Sequence, residues 1–206
     1  MTWDTRYDRP DYLFGTEPAA FVRRTAPLIP PASRNLAVAD GEGRNSVHLA
    51  GLGHRVTAMD ASPVALAKAR RLAEAKGAAV DFREADILTW DWAAEPVDAL
   101  LAVFIQFLGP ADRARVFAGF RAALRPGGLL LLHGYAPRQV GYGTGGPPHR
   151  ENMYTLPLLK QAFAGFDILE ARDYDAEIAE GAGHHGLSGL VDFVARKPAP
   201  ETGPAA

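Results

Sequence analysis

Eleven residues, Leu36 to Ser46 (LAVADGEGRNS), constrain this chain more than any other stretch. A short apolar run, a Gly41-x-Gly43 turn and the start of a helix follow one another without a spacer. That succession is what a layered α/β domain needs where a buried strand hands over to a helix. Glycine at 41 and 43 lets the backbone approach a ligand that a Cβ would obstruct. The next apolar run, His54 to Met59, ends at Asp60, where a carboxylate is placed to take both hydroxyls of a ribose. Gly41-x-Gly43-x-x-Ser46 approaches the dinucleotide fingerprint but lacks its third glycine. Two readings stand here, an adenosine site or a tight strand–helix turn with no ligand.

The rest of the chain repeats the alternation. Asn35 to Ala39, His54 to Met59, Val80 to Glu84, Val97 to Phe104 and Leu129 to His133 read as strands. A helix begins near Arg44. Ser62 as N-cap and Pro63 in the first turn open a long second helix, closed by Lys76-Gly77. A third runs from Ala111 to Leu124, broken by Arg125-Pro126-Gly127-Gly128. Ala136 to Asn152, with four glycines and three prolines, is expected to be a long functional loop. A helix over Leu156 to Ala164 follows, then strands over Phe166 to Asp175 and Gly189 to Arg196, joined by a loop around His184-His185. The expected fold is α/β, a doubly wound Rossmann-like sheet of seven strands, mostly parallel with an antiparallel final strand. Residues 1–31 would cap it with one helix, Pro18 to Thr25. Residues 32–197 would be the main domain, and 198–206 a disordered tail.

At 206 residues and 22.1 kDa, such a domain buries roughly 70% of its unfolded surface. With 22 basic and 24 acidic residues the net charge is −2, which disfavours a nucleic-acid partner. The chain has no cysteine, excluding disulfides, thiolate nucleophiles and thiolate metal sites. The longest apolar run, Ala99 to Ile105, is far short of the ~20 residues that span a bilayer. The N-terminus lacks the pattern of an export signal. A cytoplasmic location and no membrane partner are expected.

Which adenosine ligand is the next question. Ala85-Asp86-Ile87 follows the third strand, where an aspartate can accept from an adenine amine. No Tyr-x-x-x-Lys pair exists to supply short-chain dehydrogenase chemistry. In order along the chain, Tyr12-Leu13-Phe14-Gly15-Thr16-Glu17-Pro18, Gly41-Glu42-Gly43-Arg44-Asn45, Val56 to Ser62, Ala85-Asp86-Ile87 and Leu124-Arg125-Pro126-Gly127-Gly128 form a set. In that set the chain resembles the class I S-adenosylmethionine-dependent methyltransferases, and is similar to their small bacterial tellurite-resistance and thiopurine branch. The resemblance implies S-adenosyl-L-methionine as cofactor, held by Tyr12, Gly15, Asp40, Gly41, Gly43, Arg44, Asp60, Ala61, Asp86, Ile87 and Phe104. It departs from the family pattern at Ala37 and Ala39, where an acidic residue and a glycine are usual; Asp40 stands in for the acid.

Methyl transfer from a sulfonium asks the protein mainly to align its reactants and exclude water. The strand ends beside the cofactor therefore hold the catalytic candidates, Gln106, His133 and Tyr135. No Asn/Asp-Pro-Pro-Tyr motif follows the fourth strand, which argues against nucleobase amines. His184-His185 lacks metal-ligand spacing, so no metal is expected, and one of the pair is expected to line the substrate pocket. The glycine-rich stretch at Val140 to Gly146 has the composition of a lid. The function expected is methyl transfer to a small soft nucleophile, a thiol, chalcogen oxyanion or similar molecule. The alternatives are a non-catalytic cofactor-binding module of the same fold and, third, a nicotinamide oxidoreductase.

Overall fold

Leucines 129 to 132 show how the sheet divides the molecule. Successive side chains on a strand face opposite sides, so Leu130 and Leu132 join one core and Leu129 and Leu131 another. The first core packs Phe117, Phe120 and Phe163 against that face, and the second packs Phe21 and Leu49 against the other. The structure is a computed structural model that describes residues 2–199.

Its strands are β1 (Arg34–Val38), β2 (Arg55–Asp60), β3 (Val80–Glu84), β4 (Val97–Val103), β5 (Leu124–Tyr135), β6 (Asp167–Glu180) and β7 (His184–Arg196). They form one seven-stranded sheet in the order β3-β2-β1-β4-β5-β7-β6. Strands β1 to β5 are parallel, and β7 runs antiparallel to both its neighbours. The seven-stranded, doubly wound α/β sheet with an antiparallel last strand is as expected from sequence. The helices are α1 (Trp3–Tyr7), α2 (Ala20–Thr25), α3 (Arg44–Gly51), α4 (Pro63–Lys76), α5 (Pro110–Ala123), α6 (Gln139–Tyr142) and α7 (Leu156–Ala162). Helix α4 starts and stops on the anticipated signals. The Ser62 side chain accepts from the Ala65 N–H, and Gly77 ends the helix at φ +62°.

Three departures follow from tertiary context. Arg125 to Gly128 lies inside β5, because Leu124 already pairs with Val97 and the register slips before Ala99. Both hairpin strands are longer than their apolar content suggests. Glu180 pairs with His184, so the two histidines open β7 instead of sitting in a loop. Helix α1 was not anticipated, and α6 interrupts the expected loop. From residue 200 on, the expected tail lies outside the described residues. No described helix is long and apolar enough to cross a membrane.

Candidate active site

The carboxyl ends of β1, β2, β4 and β5 open into a cavity of about 580 Å³, where open α/β sheets bind ligands. One half is acidic. Asp60 ends β2 buried, its Oδ2 accepting from Gly41 N–H at 2.8 Å and its Oδ1 from Ser62 N–H at 2.9 Å. Burial raises its pKa, and those two N–H groups oppose the rise. Asp40 has no such pair of donors. Its Oδ2 is buried without a hydrogen-bond partner, and burial pushes its pKa up to about 7, the Asp60 charge adding to the effect against a bond from Ser46. Asp86, beyond β3, is exposed; its Oδ1 accepts from Leu88 N–H at 2.8 Å, which turns the chain into the cavity wall with Ile87.

The other half is aromatic. Phe104, at the end of β4, packs its ring 4.7 Å from Tyr135 and 4.2 Å from His184. Phe104 holds φ +55°, and Ala39, at the end of β1, holds φ +46°. Both line the cavity. Left-handed backbone at a residue with a Cβ is strained, and such strain clusters at ligand sites. The Tyr135 hydroxyl is buried without a partner, and burial drives its pKa up. Gln106 clasps two strand ends, its amide N donating to Tyr135 O and its Oε1 accepting from Tyr135 N–H, both at 2.7 Å.

Two segments roof the cavity. Helix α1 lays Trp3 and Tyr7 over it, the rings stacked at 5.6 Å. A buried lysine holds this segment down: Lys68 on α4 donates to the carbonyls of Tyr7, Arg9 and Asp11 and pairs with buried Glu42. The second segment is Gly146-Pro147-Pro148. It is tied back by Gln139, which donates to Thr144 Oγ1 and Gly145 O and accepts from Gly189 N–H.

Of the fourteen residues singled out from sequence, ten line this cavity: Asp40, Gly41, Arg44, Asp60, Ala61, Asp86, Ile87, Phe104, Gln106 and Tyr135. Four do not, and each has a physical reason. A Cβ on Gly43 would lie 2.7 Å from the Ala69 Cβ, so this glycine lets α3 and α4 approach and does not clear a ligand path. Tyr12 packs beside Val47 and Leu72 and donates its hydroxyl to Lys68 O. Gly15, at φ +74°, faces Gly181 in the hairpin turn. His133 is buried behind Phe104, stacked 5.0 Å from Phe21, with Nδ1 2.6 Å from Asp192 Oδ1. Asp192 also takes Arg24 and the Tyr174 hydroxyl, so His133 belongs to a closed network. Trp3, Arg6, Tyr7, Phe14, Phe107 and His184 were not among those residues, although His184 is one of the pair from which a pocket residue was expected. Among the described residues no group of three or more His, Asp or Glu is arranged to hold a metal ion.

An acidic half facing an aromatic half suits a ligand that joins a nucleoside to a cation. The partnerless Asp40 oxygen is placed for an ammonium group, and a Cβ on Gly41 would crowd the Tyr7 hydroxyl at 2.7 Å. A family model described as a methyltransferase domain matches residues 36–128, the span that holds all three carboxylates. That match, on top of the fold, makes the chain similar to the class I S-adenosylmethionine-dependent methyltransferases. Their cofactor, S-adenosylmethionine, fits this set of carboxylate acceptors. A ubiquinone biosynthesis O-methyltransferase of Methylocella silvestris is 36% identical over 112 residues, 52% of this chain and 42% of the relative. A tRNA 5-carboxymethoxyuridine methyltransferase of Escherichia coli is 32% identical over 149 residues, 66% of this chain and 56% of the relative. The chain thus spans about half the length of the curated relatives it matches. Among solved structures, one described as the conversion of a disulfide bond into a thioacetal group during echinomycin biosynthesis superposes with TM-score 0.77. It is 22% identical and covers 97% of this chain and 92% of its own. The N-methyltransferase NodS of Bradyrhizobium japonicum, in complex with S-adenosyl-L-homocysteine, has TM-score 0.71 and 14% identity, covering 95% and 96%. At these identities the two structures share the fold.

Proposed function

We propose that this chain transfers the methyl group of S-adenosylmethionine to a small soft nucleophile, a thiol or chalcogen oxyanion, held at the aromatic end of the cavity. The observation that carries this reading is the division of one roofed cavity into a carboxylate half and an aromatic half. When bound, the cofactor supplies an already activated methyl carbon, so the protein's part is alignment and dryness. Asp60 and Asp86 accept from the nucleoside, and Asp40 accepts from the ammonium. Phe104, Phe14 and Tyr135 form an apolar wall that favours a polarisable acceptor over a hydrated one, and the roof keeps water off the reacting carbon. The same reading takes residues 1–31 as a cap on a transferase domain of 32–197, in the cytoplasm.

One curated relative is named for tRNA, and another for ubiquinone biosynthesis. A net charge of −2 and a roofed cavity support a small molecule over a polyanion. The test is direct. The protein is titrated with S-adenosylhomocysteine by calorimetry, then incubated with S-adenosylmethionine and a panel of small thiols, selenite and a tRNA pool, with S-adenosylhomocysteine formation as the readout. Turnover is expected with a thiol or selenium acceptor. Binding without turnover on any of them would favour the non-catalytic module, and turnover on tRNA alone would overturn the small-molecule reading.

A further inference from the structure

Strand β7 pairs with β5 only from Leu190, opposite Tyr135. The residues from His184 to Gly189 therefore project past the sheet's carboxyl edge, backed by the end of β6. This overhang carries His184 over the ends of β4 and β5, while Asp60 ends β2 and Asp86 follows β3 on the far side of the sheet order. His184 lines the cavity and is 7% exposed, whereas its neighbour His185 faces outward and is exposed. The imidazole is packed 4.4 Å from Phe14 and 4.2 Å from Phe104, with Tyr135 edge-on at 5.6 Å. Its Nδ1 is buried with no hydrogen-bond partner. Glu180 Oε2 stands 4.0 Å away, held at 2.6 Å by Arg44, and Glu180 Oε1 accepts from Ala20 N–H. A buried imidazole whose Nδ1 lacks a partner costs stability that a phenylalanine at the same place would not. Nδ1 is turned toward Glu180, and the ring's other nitrogen, Nε2, is the one left open to the cavity.

We propose that His184 accepts the proton of the methyl acceptor, and that the acceptor is accordingly a protic soft nucleophile, a small thiol. This rests on the function proposed above and narrows it. As the thiol sulfur's lone pair bonds to the methyl carbon, the S–H proton passes to the imidazole. The bond from that carbon to the sulfonium breaks, its electron pair staying on the sulfur. The products are a methyl thioether, S-adenosylhomocysteine and an imidazolium, which afterwards gives its proton to water. The charged surroundings fit this role. Burial holds the imidazole below its usual pKa, so it is neutral and basic at pH 7. Glu180, from β6, stays ionised at about pKa 2, its burial outweighed by the positive charges beside it, Arg44 at 2.6 Å among them, and is placed to steady the imidazolium. Arg44, from α3, and His133, from β5, oppose protonation before the reaction. Tyr135 on β5 is uncharged and adds nothing to the balance.

The test uses 2-mercaptoethanol as acceptor and compares the wild type with His184→Gln across pH 6 to 10. Thiol methylation at pH 7 should fall about 100-fold. The gap should close as pH passes the thiol's own pKa, about 8.5 or above, because a preformed thiolate needs no base. S-adenosylhomocysteine affinity should stay within about twofold. A deficit that is the same at every pH would overturn the proton-acceptor role, as would full activity in the variant. A wild type that binds S-adenosylhomocysteine but methylates no thiol would instead remove the function on which the inference rests. A histidine-selective NMR titration of the wild type is independent of turnover: His184 should be neutral at pH 6.5, and an imidazolium there would overturn the proposal.

Discussion

Ala39 and Phe104 hold left-handed backbone with a Cβ in place, at φ +46° and +55°. Conformations of this kind cost about 1–3 kcal/mol each and persist only where surrounding structure enforces them. Ala39→Gly removes the penalty at the turn that leads into the Gly41 loop. A gain of about 1 kcal/mol in chemical denaturation is expected; no gain would mean that the neighbouring chain already relieves the strain. Asp40 makes the opposite kind of prediction, one that depends on pH. Its folded pKa of about 7 lies above the ordinary aspartate value of 3.8, so the folded chain keeps a proton that the unfolded chain loses between about pH 4 and 7. Its contribution is therefore fully present below about pH 4 and is lost as pH rises through 7. Glu180 has the reverse sign: with its folded pKa at about 2, its contribution is present above about 4.5 and lost as pH falls through 2. A cofactor ammonium beside Asp40 would favour the carboxylate. Binding of S-adenosylhomocysteine at pH 6 should thus release close to one proton, and at pH 8.5 almost none. Calorimetry in buffers of different ionisation heat measures this, and Asp40→Asn should abolish it.

The turn between β1 and α3 and the staple on α4 divide the labour among the elements. A valine at Gly43 would drive its side chain into Ala69, so Gly43→Val should lower stability by at least ~1–3 kcal/mol by separating α3 from α4. A drop in cofactor affinity at unchanged denaturation midpoint would restore a direct ligand role for this glycine. Lys68→Met strands Glu42 in the interior without its cation, which costs about 3–5 kcal/mol for a buried pair. It also cuts three hydrogen bonds to residues 7–11. Subtilisin should cleave the N-terminal segment of this variant faster, and equal cleavage would show that the aromatic contacts of Trp3 and Tyr7 hold it unaided.

The elements also explain which parts were legible in the sequence. The β1 run, the glycine turn and Asp60 are local, and each side chain's duty is set within a few residues. The Lys68–Glu42 pair was not legible, because a buried lysine runs against the usual exposure of that residue and its partners come from distant chain. Helix α1 has five residues, too few to display a helical period. His133 and Tyr135 share a face of β5 by alternation. Which of them reaches the cavity depends on where Phe104 turns its ring, and only tertiary packing decides that.

At the scale of the molecule, the cavity is enclosed by three stretches remote in sequence: residues 3–14, the segment around Gly146 to Pro148, and the hairpin tip around Gly183 and His184. Each is tied to the body by a few specific contacts: Lys68 under residues 7–11, Gln139 beside the second stretch and the Phe14–His184 packing at the hairpin tip. Hydrogen exchange should slow in all three together when S-adenosylhomocysteine binds, while the strands change little. Protection confined to the Gly41 loop and Asp60 would mean that the roof is fixed independently of ligand. The methyltransferase-domain model matches residues 36–128, and all three roof stretches lie outside that span. The three carboxylates of the cavity thus lie in one block together with Phe104, while the roof over them comes from the flanks. On the function proposed above, a duplicated gene for such a chain would be free to reshape its roof, and with it the room left for an acceptor, while the carboxylate block stayed as it is.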